Sequence, residues 1–183
     1  MRKLRSDQLY RPTVAAYRQR RKPPVQLIVD NVRSLLNVGA LFRTADAFLV
    51  EKLYLVGISG CPPHREIEKT ALGATRSVAW DYYAEPTRLI ADLESAGYAI
   101  WVVEHTDRSV PLEGWDPPER VALVLGNEVY GVTEPFLAAA EGAIEIPQFG
   151  TKHSLNVSVA GGIVLYHTMI QFRRRMPDIF MMG

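Results

Sequence analysis

Cysteine occurs once in this 183-residue chain, at Cys61. A lone cysteine forms no internal disulfide, and without a CxxC or histidine neighbour it makes no metal site. The four histidines, His64, His105, His153 and His167, have no metal-ligand spacing, so no metal is expected. No apolar run approaches the roughly 18 to 20 residues that a membrane span needs. The basic N-terminus has no apolar segment after it, so no secretory signal is expected. These features point to the cytoplasm and to no membrane partner. Phosphate-binding fingerprints are missing too. No GxGxxG follows the first apolar run and no GxxxxGK[ST] occurs, which disfavours a dinucleotide fold and a P-loop NTPase. No GxSxG is present, which removes the hydrolase elbow.

What is present is an ordinary globular balance, 48% hydrophobic and 22% charged, with length for one domain and a proper core. The net charge of +1 conceals an asymmetry. Residues 1–22 carry eight basic groups against Asp7 alone, a balance of +7, which leaves −6 on the other 161 residues. A basic arm on an acidic body suits a polyanion partner, and equally a solubilising tail. Residues 7–21 have weak helical periodicity broken by Pro12, which predicts a short, partly ordered helix. Pro23-Pro24 marks the boundary between a basic N-terminal extension, 1–22, and a main domain, 23–175. Residues 176–183 read as a frayed tail.

Within the domain, apolar β-branched runs alternate with helical patterns. Val25 to Val29, Lys52 to Gly57, Val78 to Tyr83 and Tyr98 to Val103 read as strands. A helix over Ser34–Phe48 has Val38, Leu41, Phe42, Ala45 and Phe48 on its apolar face, with Ser34 or Asn37 as its cap. Pro86 to Ala96 is a second helix, opened by proline and stopped by Gly97. Such alternation predicts an α/β fold with a mainly parallel sheet flanked by helices. Trp80, Trp101 and Trp115 read as core or surface aromatics rather than base-stacking platforms.

The informative stretch is Val121 to His167. Val121–Leu125 ends at Gly126-Asn127-Glu128 with Gly131 behind it, and Ala143–Ile146 ends at Pro147. After a polar loop, Ser154-Leu-Asn-Val-Ser158 opens a helix running to about Arg174. Loops of this kind, at the carboxyl ends of parallel strands, are where open α/β sheets bind ligands. Several of their residues have ordinary local roles available. Asn37 and Ser154 can cap helices, Asn156 can sit in a first turn, and Glu128 can cap the turn at Gly131. Arg43, within a mostly apolar helix, is harder to explain by packing. Gly161-Gly162 inside a helix costs roughly 1 kcal/mol per glycine against alanine, which predicts close helix packing, within the chain or across a dimer interface.

Asn37-x-Gly-x-x-x-Arg43-Thr-Ala-Asp, then Leu125-Gly-Asn-Glu128-x-x-Gly131, then Ile146-Pro147 and Ser154-Leu-Asn-Val-Ser158 resemble the three motifs of the SpoU (TrmH) family. These are S-adenosylmethionine-dependent RNA ribose 2′-O-methyltransferases of the SPOUT class. Lys69 to Ala74 resembles the family's segment between the first two motifs. The resemblance runs from about Val25 to His167. It implies a deep C-terminal trefoil knot, here roughly residues 121–166, and a homodimer with its active site at the interface. It implies S-adenosylmethionine held by Glu104, His105, Leu125, Gly126, Asn127, Ile146, Pro147, Gln148 and Leu155. It assigns the chemistry to Arg43, with Asn37, Glu128, Ser154 and Asn156 placing it. A guanidinium has donors but no acceptor, so Arg43 is expected to hold a phosphate and orient the 2′-OH. RNA contacts are expected from Arg11, Arg18, Arg20, Arg21, Lys22, Arg76 and Lys152, with tRNA favoured over rRNA. The rivals are a catalytically silent RNA-binding member and a base-methylating relative. The full set of motif residues disfavours the first, and the Ser154–Asn156 pair the second.

Overall fold

In a computed structural model, residues 1–5 and 8–181 are described. Ser6, Asp7, Met182 and Gly183 lie outside them, and with them the first residue of the expected 7–21 helix and the end of the expected tail.

The strands are β1 (Val25–Asp30), β2 (Lys52–Val56), β3 (Trp80–Tyr83), β4 (Ala99–Val103), β5 (Ser109–Pro111), β6 (Val121–Leu125) and β7 (Gly142–Glu145). They form one seven-stranded sheet in the order β3-β2-β1-β6-β4-β7-β5. Every pairing is parallel. The helices are α1 (Val14–Gln19), α2 (Leu35–Ala47), α3 (Arg65–Ala71), α4 (Pro86–Ser95), α5 (Glu134–Ala139), α6 (Val157–Arg175) and α7 (Pro177–Phe180).

Helices cover both faces, so the central strands are mostly apolar without alternation, Gln26 and Asp30 of β1 being buried polar exceptions,. All residues of β1 and of β6 are buried. Successive side chains still point to opposite faces. Leu27, Val29, Leu123 and Leu125 pack with Leu41, Phe42, Leu165 and Phe172 of α2 and α6. Ile28, Ala122 and Val124 pack with Leu89, Leu93 and Phe136 of α4 and α5. Each such side chain contributes about 1.5–3 kcal/mol when fully buried, so these contacts, rather than helix propensity, fix the helices on the sheet. Trp101 and Trp115 lie against the first core with ring centroids 5.4 Å apart, and Trp80 meets Phe42 edge-on.

Gly161 explains one of the costly helix glycines. A Cβ there would lie 2.7 Å from both Leu125 Cδ1 and Leu41 Cδ2. The close packing is therefore within the chain, between α6, α2 and β6. Gly162 faces open space.

Several boundaries differ from the sequence expectation. α1 is only Val14–Gln19, with the Thr13 hydroxyl accepting from the Ala16 N–H at its start. α6 begins at Val157, and its cap is Asn156 rather than Ser154. The C-terminal segment through Met181 is ordered, not frayed. α7 buries Ile179, and Arg20 donates to the Ile179 carbonyl at 2.7 Å and the Met181 carbonyl at 3.1 Å. Two elements had no expectation attached. α5 starts at Glu134-Pro135, a proline-led helix opening,. β5 is three residues on the sheet edge, too short for a period to register.

The sheet order places the site. β1, β2 and β3 step outward in one direction, whereas β6 returns to lie between β1 and β4. This reversal is a topological switch point, where crevices open at the carboxyl ends of strands. In register, Val29, Leu125, Val103 and Ile144 lie side by side across β1, β6, β4 and β7. The loops after these four strands therefore leave the same edge. No described helix is long and apolar enough to cross a membrane.

Candidate active site

The three motif segments meet at that edge. Ser34 caps α2, its hydroxyl accepting from the Asn37 N–H at 3.3 Å. Asn37 is not the cap, so its side-chain amide is free for other partners. It donates to Glu128 Oε1 at 3.0 Å and accepts from Asn156 Nδ2 at 3.1 Å. Glu128 also accepts from the Arg33 N–H at 3.0 Å and the Ser34 N–H at 3.1 Å. Its carboxylate thus serves the opening of α2, 91 residues away from Asn37 in sequence, and not the turn at Gly131 as the local reading allowed. Burial pushes the Glu128 carboxyl up, but donation from the backbone N–H groups of Arg33, Glu128 and Ser34 and from Asn37 outweighs it. The net effect holds the carboxyl below its ordinary value, as expected for an anion at a helix start.

Asn127 builds the loop that presents Glu128. Its Oδ1 accepts from the N–H groups of Val129 and Tyr130, and its Nδ2 donates to the Asn31 carbonyl at 2.7 Å. Its backbone pairs both ways with Gly131. Gly126 permits this closure, since a Cβ there would lie 2.3 Å from Gly131 C and Val132 N. Gly131 has φ +73°, a region that favours glycine. A Cβ on it would strike Glu104 Oε2 at 2.3 Å.

Beside this network lies an open cavity of about 220 Å³. Val103, Leu125, Ile144, Ile146, Leu155, Val157 and Ala160 supply its apolar wall, and Glu104, Glu128 and Glu145 three carboxylates. Among the described residues no lysine or arginine lines it. Glu104 is held by the N–H groups of His105 and Val132. His105 Nδ1 lies 3.5 Å from Glu145 Oε2, and its Nε2 lies 3.3 Å from Gln148 Nε2. Donation from Ser109, with further help from His105 against partial desolvation, lowers the Glu145 carboxyl below its ordinary value. An apolar slot edged by loop backbone fits an adenine ring. A carboxylate-rich, lysine-free lining fits a cationic sulfonium and amine. S-adenosylmethionine is thus the cofactor this cavity suits.

Of the residues expected to hold a cofactor, Glu104, His105, Leu125, Gly126, Asn127, Ile146, Gln148 and Leu155 line the cavity, and Pro147 does not. The Asn127 side chain is committed to the loop, so only its backbone is available. Val103, Val129, Gly131, Ile144, Glu145, Val157 and Ala160 also line it and carried no expectation. Val157 and Ala160 share one face of a helix, a spacing that could have found them. Ser154 lines the cavity, and Asn156 caps α6 beside it through bonds from Ser158 and Val159.

Arg43 is not joined to this network. It is exposed on α2, without a hydrogen bond or ion pair among the described residues, and six residues of helix, about 9 Å of rise, separate it from Asn37. The expected RNA contacts are also divided. Lys152 is exposed near the cavity, in the loop before α6, and Arg11 is exposed in the arm. Arg76 is exposed with its guanidinium folded over Gly73. Arg18 and Lys22 line a groove with Lys52 and Trp80 at the amino ends of β2 and β3, the opposite end of the sheet. Arg20 ties down the C-terminal segment, Arg21 pairs with Asp178, and Lys22 donates to the Tyr17 carbonyl and lies over its ring. His167 contacts the Trp115 carbonyl at 2.9 Å, a structural role. Among the described residues, no group of three or more His, Cys, Asp or Glu could hold a metal.

Comparison with known proteins agrees with this geometry. The tRNA (guanosine(18)-2′-O)-methyltransferase of Thermus thermophilus is 29% identical over 153 residues, 84% of this chain and 78% of that protein. The 23S rRNA (guanosine-2′-O-)-methyltransferase RlmB of Neisseria meningitidis is 33% identical over 152 residues, 82% of this chain and 60% of that one. The crystal structure of the A. aeolicus TrmH/SpoU tRNA modifying enzyme superposes with a TM-score of 0.80 at 29% identity, covering 91% of this chain and 85% of that one. An AdoMet-bound rRNA methyltransferase from Sinorhizobium meliloti gives 0.75 at 28% identity, over 92% of this chain and 62% of that one. The model of the SpoU rRNA Methylase family matches residues 24–166, the span that holds all three motif loops, and the chain belongs to that family.

Proposed function

We propose that this chain is an S-adenosylmethionine-dependent RNA methyltransferase acting on a ribose 2′-OH, in the cytoplasm, with tRNA favoured over rRNA. The observation that carries the reading is the Glu128–Asn37–Asn156 network, which joins the three family motifs at the rim of a cavity suited to the cofactor. Relatives named as 2′-O-methyltransferases of tRNA and of rRNA support the reaction.

When bound, the cofactor supplies an electrophilic methyl group. The protein must then hold a ribose hydroxyl in line and dispose of its proton. Asn37, Glu128 and Asn156 fix the rim against which the ribose rests, and Ser154 offers it a hydroxyl. Arg43, a donor-only side chain, holds the adjoining phosphate and orients the 2′-OH, with the phosphate oxygen taking the proton.

Residues 121–166 close into a deep trefoil knot in this reading. The return of β6 between β1 and β4, and the bond from Asn156 back to Asn37, support it. The enzyme acts as a homodimer in which Arg43 serves the partner's cavity. A second apolar stripe on α6 supports that assembly. Val159, Ile163 and Tyr166 recur at helical spacing on α6 and are 50%, 38% and 58% exposed, and Leu155, just before the helix, is 39% exposed, apolar exposure of the kind that marks an interface.

The test is titration calorimetry with S-adenosylmethionine, followed by methylation of total tRNA and rRNA and mass-spectrometric mapping of 2′-O-methyl nucleotides. Cofactor binding with ribose methylation is the expected result. Methyl groups on a base, or no cofactor binding at all, would turn the reading to a base methyltransferase or a silent RNA-binding protein.

A further inference from the structure

Two aromatic rings stand in solvent at the rim of the cavity. Tyr130 is 85% and Phe149 96% exposed. Val129 and Gln148 line the cavity, and each aromatic is the next residue along its loop, one after β6 and one after β7. Neither ring makes a hydrogen bond, ring contact or cation contact among the described residues. The backbone beneath Tyr130 is fixed, its N–H donating to Asn127 Oδ1 at 3.0 Å inside the loop that Gly131 closes. A large ring on a rigid backbone has few torsions left to lose on binding.

We propose that Tyr130 and Phe149 form a stacking platform for unpaired bases at and beside the methylated nucleotide. The proposal rests on the ribose 2′-O-methyltransferase reading, for the following reason. A base is bonded to C1′, the carbon next to C2′, so a 2′-OH brought to the cavity delivers its base to the rim. Exposed aromatic faces bind unpaired bases by stacking, irrespective of sequence. The charges agree. The loop 149–153 carries Lys152 and His153 with no acidic residue, and the exposed Arg33 adjoins the Glu128 network. The cavity lining itself is acidic. Phosphates are thus attracted to the rim and repelled from the cofactor slot, which leaves the sugar and base between them. A base stacked on these rings must first leave its own stack, so the platform selects loops and unpaired nucleotides over duplex.

The test uses the full chain with Tyr130→Ala and Phe149→Ala, beside the ring-preserving Tyr130→Phe and Phe149→Tyr. Binding is read by fluorescence anisotropy with a mixed-sequence single-stranded RNA and a duplex of equal length, without cofactor. Each alanine variant is expected to lose on the order of tenfold in single-strand affinity. Duplex affinity, S-adenosylmethionine affinity and thermal midpoint should stay unchanged, and the ring-preserving variants should match the wild type. Alanine variants that bind single strands as the wild type does, while the wild type methylates ribose, overturn the platform alone. A shift of the alanine variants to a smaller species in sedimentation overturns it in favour of a second copy of this chain as the occupant. A wild type that binds neither RNA nor cofactor overturns the enzymatic reading and the platform with it.

Discussion

Asn156 Nδ2 donates to Asn37 Oδ1 at 3.1 Å, joining the cap of α6 to the first turn of α2 across 119 positions of sequence. Each side chain has a second duty. Asn37 donates to Glu128, and Asn156 caps α6 through Ser158 and Val159. The network is thus both the seam that fastens α6 to α2 and the rim of the candidate active site. Its role in stability and its role in function can be separated by measurement.

Asn37→Ala removes both bonds and leaves Glu128 with its backbone donors. The expected loss is about 1 kcal/mol of stability per side-chain bond, by the usual net worth of a hydrogen bond. Methyl transfer should fall much further than stability, because the rim loses its reference point. Chemical denaturation alongside single-turnover methylation would decide it, and equal losses in both would reduce Asn37 to a structural role.

The Glu128 carboxyl is lowered from its ordinary value of 4.5 in the folded chain. Its contribution to stability is therefore fully present above that value and is lost as pH falls through the lower, folded value. Glu128→Gln should lower stability most at neutral pH, where that contribution is present, and flatten the acid limb, so that the two proteins converge as pH falls,. Thermal midpoints from pH 3 to 7 check this, and parallel profiles for both proteins would refute it.

Gly126→Ala places a methyl group 2.3 Å from the backbone of Gly131 and Val132. Backbone cannot yield as a flexible side chain can, so the loop must open. A loss of about 1–3 kcal/mol, typical of overpacking, is expected together with weaker S-adenosylmethionine binding by calorimetry. Gly162→Ala, where nothing lies within 4 Å, should instead be neutral or stabilising.

Arg43→Ala should abolish methyl transfer while leaving cofactor affinity within about tenfold. Arg43 is exposed and unpartnered among the described residues, so stability should change by no more than about 0.5 kcal/mol. Retained activity would remove Arg43 from the mechanism.

Deleting residues 1–11 should lower RNA affinity and flatten its salt dependence, since the segment carries Arg2, Lys3, Arg5 and Arg11,. The cut must stop before Thr13. Tyr17 is 4% exposed, and its hydroxyl donates to the Asp46 carbonyl at 3.2 Å. A longer deletion would therefore confound binding with stability. RNA binding that is identical with and without residues 1–11 would deny the arm its role.

The sequence alone determined what depends on near neighbours. Largely apolar runs such as Val25–Val29, interrupted only by Gln26, and Val121–Leu125 required buried strands, and their alternation with helical patterns a parallel sheet between helices. The Pro86 opening and the Gly97 stop were readable, because the signals that start and end a helix act on backbone groups only a few residues away. The resemblance then gathered Asn37, Glu128, Ser154 and Asn156 into one site. Which of these pair, and with what, was decided only by tertiary structure. Glu128 caps α2 rather than its own turn because β6 inserts beside β1 and delivers the loop there. Ser34 and Asn156, not Asn37 and Ser154, cap the helices, since each position offered two competent side chains and only the packed backbone chose. Arg20 left the set of solvent-facing cations because the last helix folds back to meet it. For Glu128 and Arg20 the partner lies some ninety residues or more away, where strand order rather than local propensity decides which groups meet.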